Sequence, residues 1–258
     1  MKLSVGAKKA SLIRKFKTWA ARRFLARVQR ITHRMPVELK RVEKARVMVL
    51  APHMDDEVIG AGGTLALHAR LGSTIGIVFM TDSAGPSKSN PMTAIRSAEA
   101  RAVAANGGFE ILDILLHPDG NLSLNEKRLA SELAHRMREW KPEQIFVPFP
   151  GDHHRDHQAT AAALAQAIEK TGWRGTVWCY EIWSTLWPNV EIDIGEVVEA
   201  KRDSIALYKS QVGDMSYIES ALGLNRYRGL KVRVSYAEAF HVAEASEYVR
   251  LAATLRVV

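Results

Sequence analysis

Short apolar runs alternate with longer amphipathic segments from Arg46 to about residue 211 of the 258-residue chain. The apolar runs predict buried strands over residues 47–51, 74–81, 109–116, 144–149 and 176–182. The segments between and after them predict helices from the glycines at 60–63 to about residue 70, and over 94–106, 125–140, 157–170 and 197–211. Strands that alternate with helices of this length favour a parallel sheet covered on both faces. We therefore predict an α/β fold, a Rossmann-like three-layer sandwich with a mostly parallel sheet in the order 3-2-1-4-5. It forms a single domain over residues 46–258, although the pattern does not place the strand-like patches in residues 230–245.

Residues 1–45 differ in character and form a basic N-terminal segment. Residues 11–34 contain neither proline nor glycine and predict a helix. Residues 1–46 hold fifteen Lys and Arg against Glu38 and Glu43, a net charge of +13, whereas the remainder carries −5. Three interpretations stay open for the helix: contact with anionic lipid, docking on its own domain or a sister subunit, or organelle targeting.

The composition excludes several classes of protein. No run of 18 apolar residues is present to predict a transmembrane helix, and early basic residues break the apolar run that a secretory signal needs. Cys179 is the only cysteine, so an internal disulfide and a cysteine-rich zinc site are excluded. We expect a cytoplasmic protein that contacts the inner face of the membrane peripherally if residues 11–34 bind lipid. We expect no nucleic-acid partner, because the basic charge is confined to one end.

Two charged loops carry the candidate chemistry. Ala-Pro-His-Met-Asp-Asp-Glu occupies residues 51–57, directly after the first predicted strand, and Gly-Asp-His-His-Arg-Asp-His occupies 151–157, directly after the fourth. In the predicted order these two strands are neighbours, and ligands bind beyond the carboxyl ends of such strands. Imidazole and carboxylate groups suit zinc and related divalent ions. The acids of the first loop could instead cap the following helix, but two such clusters meeting at one sheet edge favour a metal-dependent hydrolase.

These motifs resemble those of the LmbE-like (PIG-L) family of N-acetylglucosaminyl deacetylases, which carry His-Pro-Asp-Asp-Glu and His-x-Asp-His. The resemblance spans about residues 46–245 and departs at Met54, where the family has proline. It implies that a zinc ion, or iron(II), binds to His53, Asp56 and His157. It further implies that Asp55 is the general base and that His154 stabilises the oxyanion. Asp156 would orient a histidine.

Two further residues are candidates for contact with a sugar, Arg96 and Asp119. Each also has a simpler interpretation. Arg96 could form an ion pair at the start of a helix, and Asp119 could be a turn residue. Trp183 and Trp187 could stack on a sugar or cover the core edge, and Cys179 is interpreted as core packing.

The resemblance implies zinc-dependent removal of an N-acetyl group from a GlcNAc-type sugar in a glycan or glycoconjugate. The substrate is lipid-linked if the N-terminal helix binds membrane. One alternative is a metal-dependent amidase that acts on a non-glycan amide, such as a thiol conjugate or an antibiotic precursor. Another is a non-catalytic protein whose basic arm binds membrane or nucleic acid; Asp55 argues against it, since a binding protein needs no base beside the metal.

Overall fold

The computed structural model describes residue 23 and residues 36–85, 90–212 and 216–255. The chain divides into two units, Met1–Val37 and Glu38–Val258. The second unit is built on an eight-stranded sheet with the strand order β1-β7-β8-β6-β5-β2-β3-β4. Its strands are β1 (Glu38–Lys40), β2 (Arg46–Ala51), β3 (Thr74–Thr81), β4 (Glu110–His117), β5 (Gln144–Pro148), β6 (Thr176–Tyr180), β7 (Val190–Asp193) and β8 (Ala237–Glu244).

Helices pack on both faces of this sheet. They are α1 (Asp56–Arg70), α2 (Asn90–Gly107), α3 (Glu126–Trp140), α4 (Arg155–Thr171), α5 (Val198–Ala206), α6 (Lys209–Val212), α7 (Tyr217–Val232) and α8 (Ala245–Leu255). Short 3-10 turns at Leu122–Asn125 and Gly195–Val197 precede α3 and α5.

The predicted order of the five central strands is confirmed. β2 pairs in parallel with β3 on one side and with β5 on the other, with Val47 opposite Gln144. β4 follows β3 and β6 follows β5, also in parallel. The carboxyl ends of β2 and β5 therefore lie side by side, and each leads into one of the two charged loops.

The central strands read as continuous apolar runs because both of their faces are buried. In β2, Met48 and Leu50 point into one core layer, while Val47, Val49 and Ala51 point into the other. Alternation of side chains across a strand produces this division. The two core layers hold the strand ends firmly, which gives the loops beyond them a fixed base.

Several predicted boundaries were wrong. The first helix begins at Asp56 rather than at the glycines, so Asp56 and Glu57 belong to its first turn. The predicted helix 197–211 is two helices, α5 and α6, because the chain turns at Leu207 and Tyr208 to bury the tyrosine ring. The fifth strand ends at Tyr180 rather than at residue 182.

The sheet also extends beyond the predicted strands. Residues 230–245 comprise the end of α7 and the strand β8, which pairs antiparallel with both β6 and β7. The segment Glu38–Lys40, which the pattern assigned to the basic N-terminal segment, is strand β1 and pairs in parallel with β7.

The helix predicted over residues 11–34 lies outside the described residues except for Arg23. Among the described residues, no helix combines the length and the apolar character that crossing a membrane requires.

Candidate metal centre

The two charged loops meet at the carboxyl ends of β2 and β5. His53 lies in the loop after β2, and Asp56 is the first residue of α1. His154 caps the N-terminus of α4, and His157 lies in its first turn. Asp56 and His157 are almost fully buried, and His53 is 8% exposed. Two helix N-termini and a loop thus bring these side chains together from positions about a hundred residues apart.

One carboxylate oxygen lies between the two buried imidazoles. Asp56 Oδ2 is 3.2 Å from His53 Nδ1 and 3.3 Å from His157 Nε2. In a tetrahedral site with metal–ligand distances near 2.0–2.2 Å, neighbouring ligand atoms are separated by roughly 3.3–3.5 Å. The two distances from Asp56 Oδ2 are therefore close to the ligand spacing around a small divalent ion.

His157 provides a second observation that fits a metal. Its ring is fully buried, and neither ring nitrogen has a hydrogen-bond partner of good geometry in the described part of the chain. Nδ1 lies 3.4 Å from Asp152 Oδ2, a separation that suits an ion pair better than a hydrogen bond. A buried imidazole nitrogen without a hydrogen bond is costly unless it has another ligand.

Two overlapping clusters in the described part of the chain bring one donor atom per residue within 4.8 Å of one another: His53, His154 and His157, and His53, Asp119 and Asp156. The second cluster lies on the other nitrogen of His53, whose Nε2 is 3.2 Å from Asp119 Oδ1 and 3.3 Å from Asp156 Oδ2. The first cluster offers His154 as a competing ligand to Asp56. We give more weight to Asp56, since its oxygen approaches both imidazoles at the ligand spacing.

The electrostatic balance of the cluster favours a cation. Burial would raise the pKa of Asp56, but the imidazoles of His157 and His53 hold it well below its ordinary range. Burial would likewise lower the pKa of His157, but Asp56 and Asp152 raise it to about 9. Opposite charges nearby thus stabilise the charged forms of both Asp56 and His157. A bound metal ion would likewise supply positive charge beside the buried carboxylates.

Asp55 adopts a strained backbone conformation beside this cluster. Its φ of 144° lies in a region that non-glycine residues rarely adopt, as is common where function requires a particular orientation. Its Oδ2 accepts a hydrogen bond from Arg96 Nη2 at 2.9 Å. Burial raises the pKa of Asp55 to about 7, and the Arg96 guanidinium opposes that rise. A carboxyl group in this condition can hold or release a proton near neutral pH.

Met54, where the family motif has proline, is fully buried, and both its backbone N–H and its carbonyl form hydrogen bonds. Its N–H donates to Ser83 Oγ at 3.0 Å, a hydrogen bond that proline could not make. Its carbonyl accepts from Arg96 Nη2 at 2.6 Å. The loop is therefore held by hydrogen bonds in place of the rigid proline ring.

Arg96 and Asp119 both reach the site, but each already forms hydrogen bonds or ion pairs with other residues of the protein. Arg96 is 6% exposed and forms the ion pair with Asp55 described above, so the ion-pair interpretation of this residue is present in the structure. Asp119 contacts His53, as noted, and its Oδ2 accepts the backbone N–H of Gly85 at 3.0 Å. Both side chains still line the cavity above the cluster.

Asp156 and His154 occupy neighbouring positions at the start of α4. Besides its contact with His53, Asp156 accepts the backbone N–H groups of Gly120 at 2.7 Å and Leu122 at 3.1 Å. These bonds fix the carboxylate against His53. His154 Nδ1 accepts the backbone N–H of Asp156 at 3.3 Å, so a neutral imidazole carries its proton on Nε2. Burial lowers the pKa of His154, which favours that neutral form.

Some contributors to the site were not among the site residues predicted from the sequence. Asp152 supports His157 from behind, and its Oδ1 accepts the backbone N–H of His154 at 2.8 Å. The hydroxyl of Tyr208 donates to Glu57 across 151 positions of sequence. The signal for Asp152 was present, because it lies in the second motif, but only the fold shows which histidine it faces.

A cavity of about 470 Å³ opens above the cluster. Six of the candidate side chains line it, and Ile182, Trp183, Gln211 and Tyr217 form part of its wall. The six are His53, Asp55, Asp56, Arg96, Asp119 and His154. Trp183 is 42% exposed and therefore accessible for stacking; Trp187 does not line this cavity. A volume of this size accommodates a sugar-sized ligand.

Comparison with known proteins gives a family match over part of the chain. Residues 48–168 match the family model described as PIG-L, GlcNAc-PI de-N-acetylase. The conserved protein TT1542 from Thermus thermophilus is 27% identical with a TM-score of 0.69, over 76% of this chain and 94% of that one. N,N'-diacetylchitobiose deacetylase from Pyrococcus horikoshii is 24% identical with a TM-score of 0.70, over 79% of this chain and 86% of that one.

A third solved structure shares the fold with a different activity. The 4-carboxy-2-hydroxymuconate hydratase GalB from Pseudomonas putida is 21% identical with a TM-score of 0.58, over 77% of this chain and 96% of that one. The fold alone thus does not select the reaction. The family model, by contrast, spans both charged motifs together with Arg96 and Asp119. Residues 48–168 therefore match the PIG-L (LmbE-like) family, as the two charged motifs predicted.

Proposed function

We propose that the chain is a metal-dependent N-deacetylase that removes an acetyl group from a GlcNAc-type amino sugar. The observation that carries this proposal is the placement of Asp56 Oδ2 between two buried imidazoles, with Asp55 and His154 beside them on the floor of one cavity. The family model for a GlcNAc-PI de-N-acetylase and the similarity to a chitobiose deacetylase support the choice of an N-acetylated sugar.

We assign the metal to His53 through Nδ1, to Asp56 through Oδ2 and to His157 through Nε2. Zinc and iron(II) both suit two imidazoles and a carboxylate. A bound divalent ion supplies Lewis acidity, which activates a water molecule and polarises the acetyl carbonyl. Asp152 faces the outer nitrogen of His157 and Asp156 faces that of His53, and such outer carboxylates orient ligating imidazoles.

Asp55 acts as the general base in this assignment. As the attacking water adds its oxygen to the acetyl carbon, Asp55 takes up the proton that the water loses. Arg96 donates to Asp55 Oδ2 at 2.9 Å and so fixes the carboxylate, which leaves its other oxygen to take up the proton. The side chain is thus a base whose position is fixed before the substrate binds.

His154 stabilises the charge that develops on the carbonyl oxygen. Because Nδ1 accepts a backbone N–H, Nε2–H is the donor that faces the tetrahedral oxyanion. The carbon–nitrogen bond then breaks, and the departing nitrogen takes a proton from Asp55 or His154. The products are acetate and the free amino sugar.

Release of acetate is the direct test of this function. We expect the metal-loaded wild-type enzyme to release acetate from GlcNAc or its glycosides faster than from N-acetylated amino acids or thiol conjugates. We expect Asp55→Asn to lower kcat by about 10²–10⁴-fold, the usual contribution of a general base, while its metal content stays unchanged. Equal turnover of all amides would favour the amidase alternative, and full activity of Asp55→Asn would remove Asp55 as the base.

Membrane contact through residues 11–34 and a cytoplasmic location remain predictions from the sequence. Deletion of residues 1–34 followed by sedimentation with anionic and neutral vesicles tests the first. Loss of binding to anionic vesicles is expected, and unchanged binding would contradict the membrane interpretation.

A further inference from the structure

A second and smaller cavity lies beside the metal cavity and shares a wall with it. Its volume is about 210 Å³. Four side chains line both cavities: Ile59, Ile182, Trp183 and Tyr217. The rings of Trp183 and Tyr217 meet edge to face with their centroids 6.3 Å apart. The two cavities are therefore adjacent compartments of one binding region, and we call the smaller one the annex.

Taken with the four shared side chains, most of the lining of the annex is apolar. Helix α7 contributes Ala221 and Leu224, and strand β8 contributes Ala239. The serines at its border, Ser216 and Ser220, are exposed. Water inside such a space finds few partners, so the space favours an apolar group.

Among the residues that the structure describes, Asn225 brings a buried polar atom without a partner to the annex. Asn225 is 5% exposed, and its Oδ1 is buried without a hydrogen bond. The neighbouring carboxylate of Glu181 is occupied instead, since Arg228 donates to Oε1 at 2.9 Å and to Oε2 at 2.6 Å. The backbone N–H of Leu186 also donates to Glu181 Oε2, at 3.0 Å. Asn225 Oδ1 is thus an acceptor without a donor at the edge of an apolar space.

We propose that the annex binds an apolar aryl or compact alkyl group joined to the amino sugar, one that carries a hydroxyl or amide N–H donor for Asn225. The proposal rests on the deacetylase function proposed above and specifies the class of its substrate: a glycoside or glycoconjugate with such an aglycone, rather than a free sugar. A cavity of about 150 Å³ accepts benzene, so the annex has room for a substituted ring.

The unpaired acceptor distinguishes an aglycone from a longer acyl chain. A simple N-acyl chain is apolar throughout and would leave Asn225 Oδ1 buried and unpaired, which costs free energy. An aglycone with a terminal hydroxyl or amide fills the apolar space and also supplies the missing donor. Both features of the annex are then satisfied by one group.

The test compares kcat/KM for free GlcNAc with that for its phenyl and 4-hydroxyphenyl glycosides. We expect the phenyl glycoside to exceed the free sugar by at least about tenfold, as apolar pockets commonly discriminate. We expect the 4-hydroxyphenyl glycoside to exceed the phenyl glycoside by about fivefold to tenfold through Asn225. Asn225→Leu should abolish the second preference and keep the first.

A variant that fills the annex is compared with a matched control on the same helix. Ala221→Leu should lower the ratio of kcat/KM for the aryl glycosides to kcat/KM for free GlcNAc to about one. Gly223→Leu adds the same side chain where a Cβ meets no atom within 4 Å, and it should leave both preferences unchanged.

The outcomes separate this proposal from the deacetylase function. Deacetylation of all three sugars at equal rates would overturn the annex proposal and leave the function intact. If no sugar releases acetate, calorimetric binding of 4-hydroxyphenyl GlcNAc decides: binding lost in Ala221→Leu supports the annex, and absence of binding to the wild type overturns it. If Ala221→Leu fails to fold, the Asn225→Leu result decides in the same way.

Discussion

The buried pair Lys201–Glu238 holds the middle of helix α1 against the rest of the molecule. Both side chains are fully buried. Lys201 Nζ donates to Glu238 Oε1 at 2.6 Å and to the carbonyl of Ile59 at 2.8 Å. Glu238 also accepts the backbone N–H groups of Gly63 at 2.8 Å and Thr64 at 2.7 Å. The pair thus joins α5 and β8 to the helix that carries Asp56.

Replacement of Lys201 by methionine leaves the carboxylate of Glu238 buried without its cation. Removal of one partner of a buried pair costs about 3–5 kcal/mol of the free energy of unfolding. In a domain of this size each kcal/mol lowers Tm by roughly 2–4 °C, so the expected fall is roughly 6–20 °C. Urea denaturation gives the free energy, and differential scanning calorimetry gives Tm.

A neighbouring surface pair provides the control. Arg202 Nε donates to Glu199 Oε2 at 3.1 Å on the exposed side of α5. Arg202→Met should cost less than about 1 kcal/mol, since exposed pairs contribute little. The double variant Lys201→Met with Glu238→Gln should be less destabilised than the sum of the single variants. A loss below about 1 kcal/mol for Lys201→Met, or strict additivity in the double variant, would refute this reasoning.

Two further predictions concern the support of His157 and the buried His68. Asp152→Asn should weaken metal binding by about 10–100-fold through His157, as measured by competition with a chelator, and an unchanged affinity would remove Asp152 as its support. Burial lowers the pKa of His68 to about 4, below the ordinary 6.5 of the unfolded chain. Between pH 6.5 and pH 4 this histidine takes up a proton in the unfolded chain but not in the folded one. The free energy of unfolding therefore falls as pH drops through this window, by up to about 3 kcal/mol. His68→Gln should lose less stability than the wild type between pH 7 and pH 4 in denaturant titrations, and equal losses would contradict the assignment.

The central sheet could be predicted from the sequence because its strands are buried on both faces. Such strands appear as uninterrupted apolar runs, and the intervening helices fix their parallel order. β7 escaped prediction because it is only four residues long, so its alternation offers just two apolar positions, Val190 and Ile192. One of its acids, Glu191, is nevertheless fully buried. β1 is shorter still, and its sequence, Glu-Leu-Lys, continues the charged composition of the segment before it.

The site was predictable to the extent that its residues are adjacent in sequence. Each motif places several ligand-type side chains within a few positions at a strand end, and the strand order joins the two motifs. Contacts between distant segments carried no such signal: Tyr208 reaches Glu57 only because the chain turns between α5 and α6. The annex could not be predicted either, because Asn225, whose Oδ1 has no hydrogen-bond partner among the described residues, lies in a helix that the sequence pattern did not predict.

The metal content of purified protein tests the central claim most directly. We expect about one zinc or iron ion per chain in the wild type and in His154→Ala, and less than about a tenth of that in Asp56→Ala. A wild-type protein that binds no divalent ion after metal loading would contradict the account. So would loss of the ion from His154→Ala together with its retention in Asp56→Ala, because the ligand set would then be the three histidines.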